Sequence, residues 1–163
     1  MDEDHRFHTR VMQYLEDRGV GYQIKFHRRP VFTSEEAAVE RGVRLSQVVK
    51  TMLLGAGDFM VVAVLPSHRR LDAKKLKRMT GNKNLQFMDK DAIEQKTGLT
   101  VGAVSPVGCG LESFPIYVDP SVFEEEFLDI SSGDPRAGLE LYRDDLKGLL
   151  KEAHFVDIVK EEK

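Results

Sequence analysis

The sequence predicts an α+β fold with a mixed sheet. Helical and strand-like segments are interspersed without the regular strand–helix–strand alternation of a doubly wound sheet. Two apolar runs on either side of Gly55-Ala-Gly-Asp58 read as an antiparallel hairpin in mid-chain. The 163 residues, 41% hydrophobic and 31% charged, contain no internal repeat, low-complexity tract or long linker, so residues 1–163 are expected to form one domain. A chain of this length buries about 70% of the surface its unfolded form exposes, enough to fold without disulfides or a structural metal.

The elements follow in chain order. Phe7, Val11, Tyr14 and Leu15 recur at helical spacing and place a helix over His5 to Arg18, stopped by Gly19. A short strand covers Gly21 to Phe26. Thr33-Ser-Glu-Glu36 is a capping-box pattern opening a helix to about Arg41, with Gly42 ending it. Strands at Gln47 to Leu54 and Phe59 to Leu65 make the hairpin, and Pro66 closes the second. Asp72 caps a helix to about Met79. A short strand near Leu85 to Phe87 and a helix from Asp89 to Lys96 precede the glycine-rich stretch Gly98 to Gly110. Strands at Pro115 to Val118, Phe127 to Ile130 and Leu139 to Tyr142, a helix at Asp144 to Ala153 and a strand at Phe155 to Val159 complete the chain, with a short turn near Ser121.

Cys109 has no partner thiol, which excludes an intramolecular disulfide and a multi-cysteine zinc site and fits a reducing compartment. The polar opening MDEDHRFHTR has no apolar stretch of signal-peptide kind, and no run approaches about 18 apolar residues, so the expected address is the cytoplasm, without a membrane. His5 and His8 lack a third ligand, and no metal is expected there. Net charge is −3, yet the distribution is uneven. Between His68 and Lys83 the residues Arg69, Arg70, Lys74, Lys75, Lys77, Arg78 and Lys83 face a single acid, Asp72. From Glu112 to Asp145 ten acids oppose Arg136 and Arg143. The basic segment reads either as a solvated helix face or as a phosphate-contacting patch, and Arg69, Arg70, Lys74, Lys75 and Arg78 are its candidate nucleic-acid contacts.

Lys50 is the most informative position. On a strand it shares a face with Val48, Met52 and Leu54, while Val49, Thr51 and Leu53 take the other, so both faces are largely apolar. A lysine there snorkels to water, pairs with an acid, or points into a cleft that takes an anion. The stretch Gly98-Leu-Thr-Val-Gly-Ala-Val-Ser-Pro-Val-Gly-Cys-Gly110 exposes backbone, which suits either structural turns or N–H groups that cradle a carbonyl, oxyanion or phosphate. It contains neither GxGxxG after a strand nor GxxxxGK[ST], so no nucleotide cofactor is expected. Ile130-Ser-Ser-Gly-Asp-Pro-Arg-Ala-Gly138 is a polar turn able to line a pocket mouth. Cys109 lacks a local activating histidine and reads as a passive thiol. Asp89, Asp91 and Glu94 complement a helix dipole.

Taken together, Val-Val-Lys50-Thr-Met-Leu-Leu, Val-Ala-Val-Leu-Pro66 with Leu71-Asp-Ala-Lys-Lys-Leu, Thr97-Gly with Gly102-Ala-Val-Ser-Pro106-Val-Gly108, Ile116-Tyr-Val-Asp119, and Ser131-Ser-Gly133 before Gly138-Leu-Glu-Leu occur in family order. From about Tyr22 to the C-terminus the chain resembles the YbaK-type aminoacyl-tRNA deacylases, freestanding relatives of the editing domain inserted in bacterial prolyl-tRNA synthetases. The resemblance implies a barrel-like mixed sheet surrounded by helices. It also implies hydrolysis, without a cofactor, of the ester joining a wrong amino acid to a tRNA 3′ end. Lys50 inherits the role most closely tied to activity. Gly102, Ala103 and Pro106 match the GxxxP loop bounding the amino-acid pocket, Ser131 and Gly133 match residues beside the bound terminus, and Thr51 and His27 correspond to pocket neighbours.

Two departures leave the substrate open between Cys- and Ala-tRNA(Pro). The turn after Ser132 is longer than the usual glycine-lysine-arginine-glycine form, and His27-Arg-Arg-Pro30-Val-Phe-Thr resembles the alanine-editing branch while other pieces are closer to the cysteine-editing one. The implied partners are a mischarged tRNA and prolyl-tRNA synthetase. The rival expectations are a non-catalytic module of the same fold that grips tRNA or a synthetase, and an unrelated hydrolase using Cys109.

Overall fold

The computed structural model describes residues 7–162. Helix α1 (Arg10–Asp17) is capped by Thr9, whose hydroxyl accepts from the Met12 N–H, and it buries Val11, Met12 and Leu15. It is shorter than its apolar periodicity predicts, and His5 lies outside the described residues. Strand β1 (Gln23–Phe26) leads to α2 (Ser34–Arg41), where the capping box forms as read: the Glu36 N–H donates to Thr33 Oγ1, and the Glu36 carboxylate accepts from the Thr33 N–H. A 3₁₀ turn (Leu45–Gln47) precedes β2 (Val49–Ala56), which pairs with β3 (Phe59–Pro66) from Val49↔Pro66 to Ala56↔Phe59. Two residues make the turn. Gly57 takes φ +61° at the first, the glycine-first pattern of a tight hairpin.

Then come α3 (Ala73–Thr80), β4 (Gln86–Phe87), α4 (Lys90–Thr97), β5 (Ile116–Val118), a 3₁₀ turn (Pro120–Glu124), β6 (Phe127–Asp134), β7 (Ala137–Tyr142), α5 (Arg143–Leu149) and β8 (His154–Phe155). The strands form two sheets. One is antiparallel, ordered β1-β7-β6, and the other is mixed, ordered β4-β2-β3-β5-β8, with β5 parallel to both β3 and β8. The mixed α+β character is as expected, but no barrel closes. The sheets meet at one parallel bridge, Val48↔Asp129, because the 3₁₀ turn just before it takes the chain out of extended geometry and stops the ladder.

The main core lies between the sheets. Val49, Leu53, Val62 and Val64 face Leu128, Ile130, Leu139 and Leu141, and α1 closes the side. Alternation carries Leu54, Val61, Ala63 and Leu65 to the other face of the mixed sheet, against Leu71, Leu76 and the C-terminal Ile158. That terminal segment is pinned by buried Asp119, whose carboxylate accepts the Ile158 N–H at 2.9 Å and the Ser121 N–H at 3.0 Å. A third apolar patch, Val31, Ala37, Ala38 and Val48, seats α2 across the start of β2. The groove this leaves between α2, β2 and the glycine-rich loop is the cleft described next. No helix among the described residues is long and apolar enough to cross a membrane.

Candidate active site

The cleft has a volume of about 200 Å³ and is walled by α2, the start of β2, the loop at Val101 to Val104, and Ser131 of β6. Val31, Ala37, Val48, Val49 and Ile93 make it largely apolar. Lys50 enters from β2 and is half-buried, with no carboxylate in ion-pair range among the described residues. Burial pushes its pKa down; the Glu35 carboxylate opposes that shift and the Arg70 guanidinium adds to it. The next residue along the strand, Thr51, has its buried Oγ1 without a hydrogen-bond partner among the described residues. Of the three fates open to Lys50 in the sequence, the cleft is the one observed.

The glycine-rich loop is held against this cleft from two sides. Ser131 Oγ donates to the Gly102 carbonyl at 2.8 Å and accepts from the Gly133 N–H at 3.1 Å. Gly102 has φ +92°, and a Cβ there would lie 2.8 Å from the Val31 carbonyl oxygen, so both conformation and space demand glycine. The Ala103 N–H donates to Thr100 O at 3.0 Å and is therefore occupied. Within the loop the N–H groups of Gly102 and Val104, both cleft-lining residues, donate to no protein acceptor among the described residues.

Lys50, Thr51, Gly102 and Ser131 are thus brought together, and other expected site residues stand apart. Ala103 is buried with its donor engaged. Pro106 lines a separate cavity with Arg10, Tyr14 and Leu150, because the loop turns away from the cleft after Val104. Gly133 faces α1, where a Cβ would sit 3.2 Å from Val11 Cγ2. His27 lines a neighbouring cavity with Phe7 and Phe26. Its Nδ1 donates to the Pro135 carbonyl at 2.8 Å and its Nε2 accepts from Arg41 Nε at 3.1 Å, the tautomer of a neutral imidazole. Burial lowers the His27 pKa in keeping with that, outweighing the Pro135 hydrogen bond.

Arg41 is the cleft residue that sequence reading passed over. It occupies the last turn of α2, lines the cleft, and lies flat on Gly138, whose missing Cβ makes room for the guanidinium. A signal for it existed: Arg41 follows buried Ala37 and Ala38 by four and three residues, so it belongs to the inward stripe of the helix. Behind it, Asp129 is fully buried and pairs across the ladder with Glu140, which Lys25 Nζ contacts at 2.6 Å. Burial and the facing Glu140 carboxylate push the Asp129 carboxyl up to about 7, against the opposing charges of Lys25 and Arg41.

Elsewhere, the basic segment divides. Arg69 Nε lies 3.3 Å from Glu162, and Lys75 Nζ bonds to Asp157 at 2.9 Å and to the Val159 carbonyl at 2.7 Å, so both fasten the C-terminal segment. Arg70, Lys74 and Arg78 are exposed and have no ion pair among the described residues. The Cys109 thiol is buried, donates to the Ser105 carbonyl, and is pushed up by burial, which suits a packing residue. His8 bonds to Glu16 at 3.0 Å, and no cluster among the described residues is arranged to hold a metal.

This fold is that of an aminoacyl-tRNA editing domain, whose family model matches residues 28–149; the chain belongs to that family. EbsC of Enterococcus faecalis, provisionally named a Cys-tRNA(Pro)/Cys-tRNA(Cys) deacylase, is 29% identical over 82% of each chain. A proline–tRNA ligase of Thermosipho melanesiensis is 33% identical over 50% of this chain, which spans only 14% of that ligase. A crystal structure described as a provisional trans-editing enzyme for prolyl-tRNA synthetase superposes with a TM-score of 0.79 at 25% identity, covering 99% of both chains.

Proposed function

We propose that this protein is a freestanding aminoacyl-tRNA deacylase that hydrolyses the ester of a mischarged tRNA, with prolyl-tRNA bearing cysteine or alanine as the candidate substrate. The observation that carries this reading is an ammonium group with no ion pair among the described residues, in a cleft also lined by Gly102 and Val104, whose N–H groups donate to no acceptor among those residues. Lys50 holds a phosphate or ribose oxygen of the terminal nucleotide, and the Gly102 and Val104 N–H groups stabilise the carbonyl oxygen as it gains charge. Water adds to the acyl carbon, the bond to the ribose oxygen breaks, and that oxygen takes a proton. The names of the relatives support the reaction class. The physics supports the need, because a pocket that admits proline discriminates against smaller side chains by only about 1–3 kcal/mol per methylene.

Lys50→Ala is expected to abolish deacylation with an unchanged circular dichroism spectrum and melting temperature. Near-normal turnover would overturn the assignment. Binding of mischarged tRNA by the wild-type protein without release of the amino acid would favour a non-catalytic module instead.

A further inference from the structure

We infer that Arg41 sets the acyl specificity of the cleft by selecting side chains that carry a hydrogen-bond acceptor over alanyl. This rests on the deacylase reading and adds to it the residue that chooses the substrate. Among the described residues the guanidinium has one protein acceptor, His27 Nε2, taken by its Nε–H; the Asp129 carboxylate acts on it through space but lies outside ion-pair range. Arg41 also lines the cleft, with its Nε, Cζ and Nη2 seated over Gly138. A half-buried cation with unengaged donors is satisfied by whatever oxygen or sulfur acceptor enters.

Position assigns that acceptor to the acyl group. Lys50 on β2 and Arg41 in the last turn of α2 are the two cations among the described residues that line the cleft. With its terminal phosphate at Lys50, an aminoacyl ester leaves Arg41 as the cation that its side chain can meet. The His27 contact and the seat on Gly138 hold the fork in place before substrate arrives.

The test compares kcat/KM for alanyl, seryl, cysteinyl and aspartyl esters on one tRNA, in wild type, Arg41→Leu and Gly138→Ala. The second variant leaves Arg41 in the chain and drives its guanidinium off the strand, so the experiment survives if Arg41→Leu does not fold. The expected result is an acceptor-bearing ester ahead of alanyl by at least 10-fold in wild type, with that ratio collapsing toward one in either folded variant. Alanyl equal to or ahead of all three others in wild type, or a ratio unchanged in both variants, would overturn the assignment. Should wild type hydrolyse none of the esters, the deacylase reading fails by itself. Calorimetry with amide-linked seryl and alanyl 3′-adenosine analogues then still reads Arg41: tighter seryl binding lost in the variants supports the selection, and equal binding sinks it.

Discussion

Gly102 ties the conformation of the loop to the shape of the cleft. Its φ of +92° and the 2.8 Å approach of a notional Cβ to the Val31 carbonyl are separate penalties, and Gly98 offers the control: φ +75° with nothing within 4 Å. Gly98→Ala is expected to cost about 1 kcal/mol from backbone strain alone, whereas Gly102→Ala incurs strain plus collision and costs about 2–3 kcal/mol. Urea denaturation of the two variants measures the difference, and equal losses would show that the Val31 contact yields freely. Deacylation should fall further in Gly102→Ala, since the displaced loop carries the free N–H donors. At this scale the sequence exposed Lys50 well, because an unexpected charge on an apolar strand is a local signal. Arg41 was hidden because a basic residue in the last turn of a helix already has an ordinary explanation in the helix dipole.

The hairpin and the capped helices were legible because their determinants are local: Gly57 in the turn, Thr33 and Glu36 at the start of α2, and Asp72 at the start of α3, whose carboxylate accepts the Lys74 N–H at 3.0 Å. The sheet assignments were not, since β1 pairs with β7 across more than a hundred residues, Gln23 with Glu140. That pairing also decides what Asp129 does. Extended geometry places Asp129, Glu140 and Lys25 on one face of β1-β7-β6 while Ile130, Leu139 and Ile24 take the other, so a buried acid comes to face another acid.

The consequence is a pH dependence of stability. A carboxyl raised to about 7 in the folded protein keeps its proton where the unfolded chain, near 3.8, has lost it, so folding is favoured at low pH and that stabilisation is lost as pH rises toward 7. Neutral His27 acts in the opposite sense, contributing stability above its unfolded value of 6.5 that is lost as pH falls through its depressed folded pKa. Asp129→Asn keeps the shape of the protonated acid and removes its titration. Urea denaturation between pH 5 and pH 7.5 should therefore show wild type losing stability relative to Asp129→Asn as pH rises. A constant difference across that range would mean that Asp129 does not carry the proton.

At the scale of the whole molecule, the basic segment acts on the cleft through Arg70, whose charge adds to the lowering of the Lys50 pKa by burial. Composition alone could not say which of the segment's charges are available, because Arg69 and Lys75 find their acids, Glu162 and Asp157, only once the C-terminal segment folds back across α3. Lys74 and Arg78, exposed and four residues apart on that helix, are then the side chains expected to extend a tRNA contact outward from Arg70. Each phosphate neutralised contributes about 0.9 to the slope of log affinity against log salt on a duplex and about 0.7 on a single strand. The double variant Lys74→Ala/Arg78→Ala is expected to bind tRNA more weakly at low salt, with a slope shallower by about 1.4–1.8, while its melting temperature stays near that of wild type. Lys75→Ala should behave in the reverse way, losing stability with its two C-terminal contacts and keeping most of the salt slope. Filter binding across a salt series, read beside thermal melts, separates the two roles, and an unaltered slope in the double variant would remove α3 from the tRNA-binding surface.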